Sequence, residues 1–233
     1  MNLKRIIISF LLLTGIVLIC IRWVDRGVAL LLTQSMPHII SSHAMSVPDL
    51  LLPITLTISA AAWAGYAWLT IMKSNSPLRH IFAAIGLSSL LSFAAKDVLQ
   101  VLFGRFTPRE WLAHPDSAQF HFLGAAGASG AFPSGHMSVF TPVLISLYRM
   151  FPRLRAWWVA LWAALALALI GGSYHFVSDV IAGAYLGVAI DSLALYLTFW
   201  IARSAEPVPG SAGVSPALSF FSTEPAGRRR SQN

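Results

Sequence analysis

Charged residues are scarce in this chain: Asp, Glu, Lys and Arg make up only 11% of its 233 residues, whereas 56% are hydrophobic. This composition excludes an ordinary soluble globular domain and is typical of an integral membrane protein. Cysteine is nearly absent as well. Cys20 is the one cysteine and lies in an apolar run, so an intrachain disulfide is excluded and a packed apolar thiol is expected.

The sequence also lacks the usual signatures of a metal site. It contains no cysteine cluster and no His-Glu-x-x-His segment, and no third histidine converges on the two discussed below. We therefore predict neither a metal nor another cofactor. The formal charge of +7 does not indicate a nucleic acid partner, because the basic residues lie between apolar runs and in the tail rather than on one soluble face.

Long apolar runs predict an all-α, integral-membrane bundle of six transmembrane helices, each near the ~20 residues that a bilayer core requires. The predicted spans are about 6–24, 50–72, 80–103, 134–150, 156–174 and 177–202. Residues 25–49 connect the first two spans and include a short interfacial helix around Val28–Leu32. We expect one membrane domain over 1–204, with a motif-bearing core at 80–190, and a disordered basic tail over 205–233.

The distribution of Lys and Arg predicts the orientation. If the N-terminus is cytoplasmic, most of the basic residues lie inside, and only Arg22, Arg26, Arg105 and Arg109 lie outside. We therefore expect a multi-pass protein of the plasma membrane, the inner membrane in a bacterium, with both termini in the cytoplasm. The polar segments described next then share the outer, periplasmic face.

Two short polar segments, 132–136 and 175–179, stand at the ends of long apolar runs. Histidine and aspartate in such surroundings are functional candidates by default. His175 and Asp179 share a face if they are helical, so the carboxylate can orient one imidazole nitrogen and leave the other to attack. A buried His–Asp pair that merely joins two helices explains the same spacing.

The segment Pro133-Ser134-Gly135-His136 has the residues that open a helix. Pro133 is expected in the first turn of the fourth span, which leaves the amides of Ser134, Gly135 and His136 as free donors for a phosphate group. The small residues at 124–131 suit a segment that folds over a site, and equally a plain linker.

Three cations precede that segment. Arginine binds phosphate oxygens with two parallel hydrogen bonds, which makes Arg105 and Arg109 candidates for phosphate binding. Anchoring of Arg105, Arg109 and Trp111 at the lipid headgroups explains the loop equally well. It does not explain Lys96, which lies within a predicted span and needs an anion or a path to water.

Taken together, these segments resemble the type 2 phosphatidic acid phosphatase (PAP2) superfamily over about residues 80–190. The motifs of that family are Lys-x6-Arg-Pro, Pro-Ser-Gly-His and Ser-Arg-x5-His-x3-Asp. The second is intact at 133–136, and the end of the third is intact at His175 and Asp179.

The cationic positions of the family pattern are different here. Gln100 and Thr107 occupy the lysine and arginine positions of the first motif, and Ala168 and Leu169 occupy the Ser-Arg positions of the third. Lys96, Arg105 and Arg109 are the nearest substitutes in sequence.

The resemblance implies a metal-independent phosphatase acting on a phospholipid or isoprenoid phosphate in the bilayer. It implies that His175 attacks phosphorus to form a phosphohistidine, that Asp179 orients His175, and that His136 protonates the leaving alkoxide. The implied phosphate-binding residues are Arg105, Arg109, Lys96, Ser134 and Gly135. Transfer of a phospho-headgroup to a second lipid, and binding or transport without catalysis, are the alternatives.

Two further acids lie within predicted spans. Asp191 is expected to have a structural partner, with Lys96 as one candidate, and Asp97 is expected to point away from Lys96 on the helix. The sequence predicts no oligomeric state.

Overall fold

The computed structural model describes residues 3–35, 51–74, 76–116, 118–123 and 130–205. Within them the regular structure is helical, apart from one isolated β-bridge, so the all-α prediction is confirmed. The α-helices are α1 (Leu3–Ile19), α2 (Asp25–Ser35), α3 (Leu51–Ile71), α4 (Leu78–Phe103), α5 (Pro108–Ala113), α6 (Gly135–Met150), α7 (Arg155–Gly171) and α8 (Val177–Ala205).

Five helical segments are long and apolar enough to cross a bilayer: Lys4–Ser35, Leu51–Ile71, Leu78–Phe103, Pro152–Gly171 and Val177–Ile201. They correspond to five of the six predicted spans. The other predicted span, 134–150, corresponds to α6, which has 16 residues and contains Pro142. Since a bilayer core requires ~20 residues, six spanning helices are not confirmed.

The first helix is longer than predicted. A π-helical segment, Cys20–Val24, joins α1 to α2, so the helix continues past the expected end at residue 24. The predicted interfacial helix around Val28–Leu32 is part of α2, while residues 36–50 and the predicted tail from 206 lie outside the described residues. π-Helical turns often mark functional sites, and this one is followed directly by the buried Asp25.

Helices α4, α6 and α8 pack against one another at the centre of the bundle, with α3 along α4 and α7 along α6. Helix α1 packs on α8. Many large apolar side chains of α1, α3 and α7 point outward, as expected for helices that border lipid.

Gly183 and Gly187 allow α8 to approach α6 closely. A Cβ atom at Gly183 would lie 2.4 Å from the carbonyl oxygen of Ser134, and one at Gly187 would lie 2.9 Å from that of Ser138. Small residues permit this backbone approach between membrane helices. The contact determines how far the start of α6 lies from the start of α8.

Candidate active site

His175 lies in the short connection between α7 and α8. The amides of Tyr174 and His175 both donate to the carbonyl oxygen of Leu169, at 3.0 and 3.3 Å. These bonds satisfy a carbonyl at the end of α7 that has no partner within the helix. They place the buried imidazole directly before the first turn of α8.

The tautomer of His175 follows from its partner. Its Nδ1 atom lies 3.0 Å from the carbonyl oxygen of Ala131 and 3.8 Å from Oδ2 of Asp179. A carbonyl oxygen only accepts hydrogen bonds, so Nδ1 carries a hydrogen, and in the neutral ring Nε2 has the lone pair. The direct partner of the ring is therefore a backbone carbonyl, and Asp179 acts on it mainly through charge.

Asp179 is fully buried in the first turn of α8 and uses both carboxylate oxygens. Oδ2 accepts from the Phe176 amide at 2.8 Å, which satisfies a backbone donor at the start of α8, and Oδ1 accepts from Nη1 of Arg105. A carboxylate at a helix N-terminus is also stabilised by the helix dipole. Asp179 is thus held rigidly beside His175.

Arg105 enters the interior because α4 ends at Gly104. Gly104 adopts a left-handed conformation with φ 50°, and its amide donates to the backbone carbonyl oxygen of Gln100 at 2.8 Å. This helix-ending geometry favours glycine. The fully buried Arg105 guanidinium lies between the Phe120 and Phe176 rings, 4.7 and 4.3 Å from their centroids.

Two carboxylates bind this guanidinium. Nη1 contacts Asp179 and donates to Oγ of Ser178 at 2.6 Å, while Nη2 donates to Oδ2 of Asp25 at 2.7 Å. Both terminal nitrogens of Arg105 are therefore occupied by protein groups. The predicted contact of Arg105 with phosphate stays a prediction, and the structure gives Arg105 a bridging position between two acids.

Asp25 is the residue that the sequence analysis missed. Its Oδ1 accepts from the Ser178 amide at 3.1 Å, and its Oδ2 accepts from the Ser178 hydroxyl as well as from Arg105. An acidic residue at the end of an apolar run was the available signal. Arg22 and Arg26 flank Asp25, and the same pattern is typical of an ordinary interfacial cluster.

His136 lies in the first turn of α6, and its ring centroid is 6.2 Å from that of His175. The expectation that Pro133 opens this helix was wrong. The N-cap is Ser134, whose side chain accepts from the Met137 amide, so α6 begins at Gly135.

The amides at the start of α6 are only partly available. The Ser134 amide donates to the carbonyl oxygen of Asp179 at 3.0 Å, contrary to the expectation that it is free. Within the described part of the chain, the Gly135 amide has no hydrogen-bond acceptor. Gly135 is therefore the better candidate of the two for a phosphate donor.

Lys96 lies beside this helix start. A Cβ atom at Gly135 would be 3.0 Å from Cδ of Lys96, so the lysine stem packs on that glycine. Its ammonium pairs with Asp97, which corrects the expectation that Asp97 points away. Gln100 donates to the carbonyl oxygen of Pro133 at 3.1 Å. Gln100, which occupies the lysine position of the first family motif, therefore contacts the second motif, but its side chain is neutral.

Arg109 lies in α5, and its side chain reaches the end of α7. Its Nη2 and Nε donate to the carbonyl oxygen of Gly172 at 2.8 and 3.2 Å, and its guanidinium lies 4.6 Å from the Tyr174 ring centroid. Arg109 therefore supports the connection that carries His175.

The residues at the other two cationic positions of the family pattern, Thr107 and Leu169, have structural roles. Thr107 is the N-cap of α5 and forms a capping box with Glu110. Leu169 is buried in an apolar cluster with Met137, Val180 and Ala184. Asp191, predicted to have a structural partner, pairs with Arg149 at 2.7 Å rather than with Lys96.

The arrangement brings two imidazoles together, with ring centroids 6.2 Å apart in an edge-to-face geometry. One ring has a tautomer defined by its partner, and the other lies at the positive end of a helix dipole. Among the described residues, no group of three or more His, Cys, Asp and Glu side chains is placed to hold a metal ion. Two adjacent imidazoles can serve in nucleophilic and acid–base chemistry.

One comparison with known proteins gave a match. A model of the PAP2 superfamily matches residues 77–203, which include both histidines, Asp179 and Arg105 but not Asp25. Searches of curated proteins and of solved structures found no match.

Proposed function

Because the chain belongs to the PAP2 superfamily, which consists generally of phosphoric ester hydrolases, we propose that it is a membrane-embedded phosphatase acting on a lipid phosphate or diphosphate. The observation that carries this proposal is the pair of buried histidines, with ring centroids 6.2 Å apart, at the starts of two helices. The apolar helices around the site favour a substrate that resides in the bilayer.

The reaction proceeds in two steps. Nε2 of His175 attacks phosphorus, the bond to the leaving oxygen breaks, and His136 donates a proton to that oxygen. A water molecule then attacks the phosphohistidine, with His136 accepting its proton, and His175 is released with inorganic phosphate. Asp179 and the Ala131 carbonyl favour the positive ring of the intermediate.

Arg105 has a positioning role in this mechanism. It holds Asp179 by an ion pair, and its carbonyl oxygen accepts from the Ala131 amide at 2.8 Å. Both groups next to Nδ1 of His175 are therefore tied to Arg105. The Gly135 amide is the nearest candidate for phosphate binding, while phosphate binding by Lys96, Arg105 or Arg109 would require each of them to exchange a protein partner.

The proposal is tested with the purified full-length protein and a panel of phosphatidate, phosphatidylglycerophosphate, polyprenyl diphosphate and lipid A phosphate, with free phosphate as the readout. We expect release from at least one lipid and complete loss in His175→Ala. Near wild-type release by His175→Ala would refute the mechanism. Product formed only when a second lipid is added would identify a transferase, and no reaction under any condition would favour a non-catalytic binder.

A further inference from the structure

An apolar groove of about 470 Å³ runs between α1 and α8, beside the candidate active site. We propose that it binds the hydrocarbon chain of the phosphorylated substrate, an inference that rests on the proposed phosphatase function. The lining side chains are almost entirely apolar, with Thr14 and Tyr185 as the polar exceptions. Such a lining suits an alkyl chain and offers nothing to a polar ligand.

Two aromatic residues of the groove wall, Phe120 and Phe132, lie towards the site. The Phe120 ring lies 4.7 Å from the Arg105 guanidinium, and Phe132 directly precedes the segment that carries His136. One end of the groove therefore borders residues that contact or adjoin the site residues.

The direction and length of the groove match one leaflet. Along α1 and the following π-helical segment it extends from Ile21 back to Phe10, which is ~16 Å at the helical rise per residue. That is about half the ~30 Å hydrocarbon core. Along α8 it includes Ala182 and Tyr185, at increasing distance from Asp179, and the Phe10 and Tyr185 rings meet at 6.4 Å.

The groove contributes to the reaction by orienting the substrate. Lipid tails are as apolar as its walls, so transfer of a chain from the bilayer into the groove gains little hydrophobic energy. A chain held there instead places its phosphate group at His175 in a reactive geometry, and misplacement by about 1 Å can cost ~100-fold in rate. This rate advantage arises only when the occupant of the groove is the hydrocarbon chain of the substrate.

The first test uses the full-length protein in micelles and a series of n-alkyl monophosphates of increasing chain length. For the wild type we expect kcat/KM to rise with chain length. Thr14→Trp, which fills the groove, should lower the ratio of long-chain to short-chain kcat/KM by at least ~10-fold. Leu12→Trp is the matched control, because Leu12 is 65% exposed on α1 and does not line the groove. An unchanged ratio in Thr14→Trp would overturn the proposal.

A second test does not depend on turnover. An alkyl phosphate with a photoactivatable diazirine at its chain end should label α1 and α8 near Phe10 and Tyr185, and Thr14→Trp should reduce that labelling. Labels spread evenly over the lipid-facing helices would exclude the groove. Phosphate release from no member of the series, together with labelling in the groove, would reject the phosphatase function and keep the chain site.

Discussion

His175 is held through Ala131: Nδ1 of the imidazole donates to the Ala131 carbonyl oxygen at 3.0 Å. The Ala131 amide in turn donates to the carbonyl oxygen of Arg105 at 2.8 Å. The same arginine binds Asp179, the carboxylate nearest to that ring. Arg105 is therefore linked to both groups that define the orientation and charge of His175.

The acid role of His136 predicts a dependence on the leaving group. His136→Ala should lower kcat/KM for an alkyl phosphate by ~10²–10⁴-fold, because an alkoxide leaves poorly without a proton. p-Nitrophenolate needs no proton, so p-nitrophenyl phosphate should give a burst of one nitrophenol per enzyme. Slow turnover should follow, since the attacking water also needs His136. Absorbance in a rapid-mixing experiment measures the burst, and equal losses on both substrates would contradict this role.

Asp179→Asn should leave more residual activity than His175→Ala. The carboxylate does not bond to phosphorus, so its replacement affects only the orientation and charge of the nucleophile. The new amide nitrogen would face either Arg105 or the Phe176 amide, both of which are donors, and one hydrogen bond is lost. Phosphate release by the two purified variants compares them directly, and greater loss in Asp179→Asn would contradict the assignment.

Asp25 should matter although it lies outside the matched family region. Arg105→Ala is expected to lower kcat/KM by ~100-fold, because it releases Asp179 and so disturbs the placement of His175. Removing one partner of a buried ion pair typically costs about 3–5 kcal/mol, so Asp25→Ala should lower the melting temperature clearly. The double variant Asp25→Ala/Arg105→Ala should lose less stability than the sum of the two single variants.

Asp116→Asn is the matched control for Asp25, because it also removes an acid but at an exposed position. It should leave the melting temperature and activity unchanged. Additive losses in the double variant would show that Asp25 and Arg105 act independently.

The close contact of α8 with α6 predicts a large difference between two glycine substitutions. A Cβ at Gly183 would lie 2.4 Å from the Ser134 carbonyl oxygen, so Gly183→Ala should separate the two histidines and lower both the melting temperature and kcat. A Cβ atom at Gly171 would have no neighbouring atom within 4 Å, so Gly171→Ala should have no such effect. Thermal unfolding and phosphate release distinguish them, and equal behaviour would mean that the approach is not required.

The charge distribution predicts that the site faces outward. In a Cys20→Ser background, a cysteine at Ala118, which is exposed between α5 and α6, should react with a membrane-impermeant thiol reagent in intact cells. A cysteine at Ser74, between α3 and α4, should react only after the membrane is permeabilised. The reverse pattern would place the site in the cytoplasm.

Much of this protein was predictable from local pattern. The helical class and the family follow from composition and two short motifs, and both are confirmed. Run length predicted six spans, of which five are long and apolar enough to cross a bilayer. These features depend on residues close together in sequence, such as the four-residue spacing of His175 and Asp179. The roles of His136, His175 and Asp179 stay predictions until they are measured.

The tertiary structure alone decided which charges meet. Arg105 and Asp25 are 80 residues apart, and no local pattern predicts that a buried guanidinium would bridge Asp25 and Asp179. The sequence alone determined that cations near the motifs need anions, because an isolated charge is costly in an apolar interior. Whether that anion is a protein carboxylate or a substrate phosphate depends on helix packing, which places the carboxylates at Arg105.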